Sequence, residues 1–136
     1  MYASLDDLTK QVSEDLLIQL TDDNGIGSIN TDVTDMALEA ADVEIDGYLG
    51  GRYALPLATV PGIVTKQAVD ITIYNLYSRR PGGPADHIQK RYDNAVRFLD
   101  RVARGDISLG MDDPEPTGDN SAEMVSGASI FSRETA

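Results

Sequence analysis

Hydrophobic positions recur at helical spacing from the start of this chain to Gly105, and then the recurrence stops. Ser4 followed by Asp7 has the form of a capping box, in which the hydroxyl serves a free backbone N–H at a helix start. A first short helix is predicted over about Leu5 to Val12, with a second start at Ser13. Leu16, Leu17 and Leu20 carry that second helix into a loop from Thr21 to Asn30. The next helix is predicted to begin near Thr31 or Asp32 and to run to Leu49. On a helical wheel Val33, Met36, Ala37, Ala40, Ala41, Val43 and Tyr48 share one face, with Asp35, Glu39, Asp42 and Asp46 opposite. Glu44 falls in the middle of the apolar face.

The pair Gly50–Gly51 is expected to end this helix, because glycine accepts the left-handed conformation at low cost. Pro56 and Pro61 then disfavour helix in the residues before them, so a short extended connector follows. A helix from Pro61 to about Ser78 differs from the others. Its Ile63, Val64, Val69, Ile71, Ile73, Tyr74, Leu76 and Tyr77 lie on nearly all sides, as expected of a central helix or one shared with a partner. Its two charges, Lys66 and Asp70, are spaced to pair along the helix. Arg79 to Pro84 breaks the chain, and a last amphipathic helix runs from Ala85 to Arg104 with Gly105 as its stop.

These elements define an all-α fold, a small bundle of four to five helices with an extended C-terminal tail. Met36, Ala40, Ile71, Tyr74, Tyr92 and Leu99 are its expected core. Two parts are expected: a helical domain over 1–105 and an acidic arm over 106–136. The arm is rich in Asp, Glu, Pro, Gly and Ser and cannot bury enough surface to fold alone. Met124, Val125, Ile130 and Phe131 are its candidate anchors on a partner.

Composition narrows the chemistry. Cysteine is absent and His87 is the one histidine, which removes thiolate chemistry and His clusters and argues against a His-paired triad. No apolar run approaches the roughly 20 residues of a membrane span, and no signal peptide opens the chain, so a soluble protein made in the cytosol is expected. Neither a cofactor nor an enzymatic activity is expected. Charge is placed unevenly. Residues 1–60 hold 12 acidic and 2 basic side chains, residues 61–105 hold 4 and 8, and residues 106–136 hold 7 and 1, within a net charge of −12. A chain this acidic is repelled by free nucleic acid. The two-signed pattern suits head-to-tail contact between copies, although solvated helix faces would produce it equally.

Three constellations invite a functional reading. The loop from Asp22 to Asp32 imitates a calcium-binding loop, with Asp22, Asn24 and Gly27 in place. Ile26 and Val33, however, stand where a ligand and a bidentate Glu are needed. A glycine turn with a helix cap is the favoured reading, and a free regulatory module with a degenerate calcium-type loop is the alternative. Lys90, Arg97, Arg101 and Arg104 form a basic stripe on the last helix, suited to a partner or to passive contact with DNA in a channel. Asp86–Lys90, Asp93–Arg97 and Asp100–Arg104 are spaced as ion pairs, which favours a solvated or partner-facing stripe. Glu44 on an apolar face requires a partner, and Arg52 or Arg80 is expected to pair with it.

Four segments carry a family resemblance: Met1-Tyr2-Ala3-Ser4-Leu5-Asp6-Asp7-Leu8, Ile18-Gln19-Leu20-Thr21-Asp22, the stretch Glu44 to Leu57, and Arg97-Phe98-Leu99-Asp100-Arg101-Val102-Ala103-Arg104-Gly105. Together they resemble a small family of Mu-like phages and prophages encoded among head genes. That family is similar in turn to the helical head–tail connector (adaptor) proteins of long-tailed phages. The resemblance implies a structural protein of the virion neck, assembled in the host cytoplasm as a ring of about twelve copies. Its implied partners are the portal protein and a tail-side neck or tail-terminator protein. On that view Asp35, Glu39, Asp42 and Asp46 meet Arg79, Arg80, Lys90, Arg97 or Arg101 of the next copy.

Overall fold

The computed structural model describes residues 1–110. Five helices follow in order: α1 (Leu5–Gln11), α2 (Glu14–Thr21), α3 (Thr31–Leu49), α4 (Gly62–Ser78) and α5 (Asp86–Ala103). Among the described residues there is no strand, and the fold is an all-α bundle. The caps are those written locally in the sequence. Ser4 accepts from the Asp7 backbone N–H while the Asp7 carboxylate accepts from that of Ser4, a complete capping box. Ser13 accepts from Leu16 N–H and Asn30 from Asp32 N–H, starting α2 and α3.

The stop after α3 differs from expectation. Gly50 keeps a right-handed conformation (φ −62°), and the helix closes through the N–H groups of Arg52 and Tyr53, both donating to the Leu49 carbonyl. Space beside Gly50 is tight instead. A Cβ there would lie 3.0 Å from the Asp46 carbonyl oxygen and 3.5 Å from Leu55 Cδ1. Gly105, with φ 85°, does supply the left-handed stop after α5.

α4 is the centre. It packs against all four other helices, and Val64, Ala68, Val69, Ile71, Thr72, Ile73 and Leu76 are buried along it. Asp70 is buried as well and binds Lys66 Nζ at 2.9 Å, the pair expected from their spacing. α5 contributes Ile88, Ala95, Leu99 and Val102, and the rings of Tyr74 and Tyr92 stack at 3.9 Å between centroids.

α3 is rotated about its axis relative to the expected face. Leu38, Ala41, Ile45 and Leu49 are buried, with Thr34 and Ala37, whereas Met36 and Val43 are 70% and 72% exposed and Ala40 is exposed too. Met36 and Ala40 are therefore not core residues. Burial follows the larger aliphatic area of Leu38, Ile45 and Leu49, which outweighs an alternative stripe of alanines. The helical unit also extends past Gly105. Leu109 is buried and its N–H donates to Tyr53 Oη at 3.3 Å, so contacts with the bundle continue past Gly105.

Gln67 is buried on α4 at 4% exposure, with no hydrogen-bond partner for its amide among the described residues. A buried unpaired amide is destabilising. Gln67→Met, which keeps the length and removes the polar atoms, should stabilise the fold by about 1 kcal/mol. Urea unfolding measures this, and an unchanged or lower midpoint would contradict it.

Candidate functional site

The acidic face of α3 divides into two halves. Asp42 and Asp46 hold the N-terminal segment: Tyr2 N–H donates to Asp42 Oδ1 at 2.9 Å and the Tyr2 hydroxyl donates to Asp46. Tyr2 carbonyl in turn accepts from Thr65 Oγ1 at 2.8 Å, so this segment straps α3 to α4. Burial, and then the hydrogen bond to Asp46, push the Tyr2 phenol well above its ordinary range. Asp35 and Glu39, nearer the start of α3, are exposed and have no ion pair or side-chain hydrogen bond among the described residues. Sequence reasoning missed Tyr2, because its partners lie about forty residues away.

The arginines after α4 turn inward to α2. The last four carbonyls of an α-helix lack intrahelical partners. At α2, Ile18 O accepts from Asp22 N–H and Thr21 O from Asp23 N–H. Leu20 O accepts from Arg79 Nη1 at 2.8 Å, and Gln19 O accepts from Arg80. Both guanidinium groups also engage Asp23, Arg80 at 3.5 Å. Since α2 has no basic residue in its own last turn, these two cations also complement its dipole.

The expected pairing of Glu44 is corrected by the same geometry. Glu44 Oε2 accepts from the Tyr92 hydroxyl at 2.8 Å, and no ion pair joins it to Arg52 or Arg80 among the described residues. Arg80 is committed to α2. Arg52 donates to the Val102 carbonyl at 3.3 Å, capping α5, with its guanidinium carbon 5.7 Å from the Tyr53 ring centroid. Burial, followed by the hydrogen bond to Glu44, raises the Tyr92 phenol well above its ordinary range, keeping it a donor.

The basic stripe of α5 faces outward. Lys90, Arg97 and Arg101 are exposed. Of the three expected ion pairs along α5, Asp100–Arg104 forms, at 2.7 Å. Asp93 accepts from Gln89 instead, and Arg97 donates to Asn94 Oδ1 at 2.8 Å. Lys90 and Arg101 have no ion pair among the described residues. Met124, Val125, Ile130 and Phe131, the expected arm anchors, lie outside the described residues.

In the calcium-like loop the Asp22 carboxylate is turned to the loop's own backbone. Its oxygens accept from Ile26 N–H at 2.9 Å and Gly27 N–H at 2.7 Å, and Gly25 and Gly27 take positive φ. Thr21 Oγ1 accepts from Asn30 N–H at 3.0 Å and closes the turn from the α2 side. Among the described residues no three His, Cys, Asp or Glu side chains converge on a common point. No helix there is long and apolar enough to cross a membrane.

The described residues thus form a small all-α bundle with exposed carboxylates on α3 and exposed basic side chains on α5. The chain belongs to the Bacteriophage Mu Gp36 family, whose sequence profile matches residues 2–127. It is 36% identical to the Mu-like prophage FluMu protein gp36 of Haemophilus influenzae Rd, over 99% of this chain and 95% of that protein. It is 29% identical to gene product J of Escherichia phage Mu, over 98% and 95%. It is thus a protein of the Mu-type phage group, as the resemblance of the four segments implied.

Asp22 titrates below the ordinary carboxylate value of 3.8, chiefly through the N–H of Gly27 and then that of Ile26. Its folded-state value lies below its unfolded one, so its contribution is complete above 3.8 and is lost as pH falls through the folded value. Asp22→Asn should therefore be less stable than the parent chain at neutral pH, with the gap closing in acid below 3.8. Chemical unfolding across pH checks this; a gap independent of pH would contradict it.

Proposed function

We propose that this protein is a head–tail connector of a Mu-type phage, a structural component rather than an enzyme. It forms a ring between the portal and the tail. The observation that carries this reading is the pair of outward charged faces, acidic on α3 and basic on α5, in a chain whose family is that of phage Mu Gp36. Asp35 and Glu39 on α3 and Lys90, Arg97 and Arg101 on α5 form no ion pair within the protomer among the described residues, which leaves them available to a neighbour. Contact between different faces of successive copies is head-to-tail, and it closes into a ring when the rotation per copy divides a full turn. The resemblance to connector proteins supports about twelve copies, matched to a portal ring.

The ring places the protein in the virion neck, with the portal on one side and a neck or tail-terminator protein on the other. The family relation and the helical fold support this placement. The acidic segment from Asp106 onward serves as an arm that attaches to one of these partners. DNA passing through the channel would be a passive neighbour of the ring.

A phage lacking this protein should package DNA yet accumulate filled heads and free tails that do not join. Electron microscopy of the lysate shows the outcome directly. Tailed particles in normal number would contradict the proposal, and so would heads that fail to fill.

A further inference from the structure

The rotation of α3 leaves an apolar stripe facing solvent. Met36, Ala40 and Val43 lie three and four residues apart on one face, and Met36 and Val43 are among the most exposed large hydrophobic residues described. Beside Met36 lies an apolar hollow of about 280 Å³ between α3 and α4, lined also by Val33, Ala37, Asn75 and Arg79. Asp35 and Glu39 edge the stripe, each one residue before an apolar position. They are the two carboxylates of this face that the N-terminal segment leaves free.

An apolar strip edged by carboxylates fits side chains with an aliphatic stem and a cationic head. The chain presents such a set on α5. Lys90, Asn94, Arg97 and Arg101 repeat at intervals of four, three and four residues, the same intervals as Asp35, Glu39, Asp42 and Asp46. On helices both rows extend about 16 Å. Beside this row Asp93 and Asp100 are occupied by Gln89 and Arg104, and the remaining acidic residue of α5, Asp86, lies in its first turn, before Lys90. Arg79 and Arg80, the other basic candidates, are committed to the end of α2.

We propose that the Met36–Ala40–Val43 stripe of α3, with Asp35 and Glu39 at its edge, docks on the Lys90–Arg97–Arg101 face of α5 of a second copy of this chain. The stems of the basic side chains cover the apolar stripe while their heads reach the two carboxylates. This pairing rests on the assembly reading above and gives it a specific contact. It also separates two kinds of residue within each charged set: those that cap and strap the protomer, and those that join protomers.

Charge exchange tests the contact in the full chain. Asp35→Lys with Glu39→Lys makes both faces basic, and Arg97→Glu with Arg101→Glu makes both acidic. All four positions are exposed, so each variant should fold, which circular dichroism checks. In native mass spectrometry over a concentration series, each variant alone should self-associate at least about tenfold more weakly than the parent chain, because like charges then face each other. Mixed in equal amounts, the two should recover assemblies in which the chains alternate. Variants that assemble as the parent does, or a mixture that recovers nothing, would overturn the contact while leaving assembly through another face in place. Loss of DNA binding in the Arg97/Arg101 variant without loss of assembly would likewise overturn it. A parent chain that stays single at every concentration would overturn both the contact and the assembly reading.

Discussion

Everything in this bundle follows from the need to bury α4 on all sides. A helix with apolar residues around its whole circumference is stable in water only when neighbours cover it. In a folded unit of this size the cover must come from all four remaining helices, and α1, α2, α3 and α5 each pack against it. Each covering helix can then spare only one side for the core. α3 gives Leu38, Ala41, Ile45 and Leu49, α5 gives Ile88, Ala95, Leu99 and Val102, and their remaining surfaces face outward. The outward charged faces are thus a consequence of how the core is filled.

The second constraint is the helix C-terminus. α2 is a short helix with no basic residue in its last turn, and a bundle that brings its end near the end of α4 must still satisfy its carbonyls. Arg79 and Arg80 meet that demand from the far side of the sequence, and Arg52 does the same for α5. These cations fix how the helices meet, since planar guanidinium groups hold carbonyls and carboxylates in defined directions. The consequence for function is subtraction. A charge engaged in holding the fold is not free for a neighbour, and of the charges considered for a contact between copies those without an ion pair among the described residues are Asp35 and Glu39 on α3 and Lys90, Arg97 and Arg101 on α5.

Helix positions were legible in the sequence because capping is local: Ser4 with Asp7, Ser13 and Asn30 each write their helix start within three residues. The central place of α4 was legible for the same kind of reason, its apolar circumference. The rotation of α3 was not. Met36, Ala40 and Val43 satisfy helical spacing as well as Leu38, Ile45 and Leu49 do, and only the greater area buried by the latter decides between them. Weighing side-chain size at each wheel position would have exposed it. The partners of Glu44, Arg79, Arg80 and Tyr2 were beyond reach because they lie 40 to 63 residues away in sequence. Charge alone suggested an arginine for Glu44, whereas the packing of α5 supplied a tyrosine hydroxyl.

On the proposed contact, packing around α4 turns a methionine-bearing stripe of α3 outward and a second copy covers it. Hydroxyl-radical footprinting at Met36 tests this most directly, in the isolated full chain and in assembled phage particles. Met36 should oxidise fast in the isolated chain, in keeping with its 70% exposure, and be strongly protected in the particle. Slow oxidation in the isolated chain would contradict the packing of α3, and equal oxidation in both states would contradict its burial on assembly.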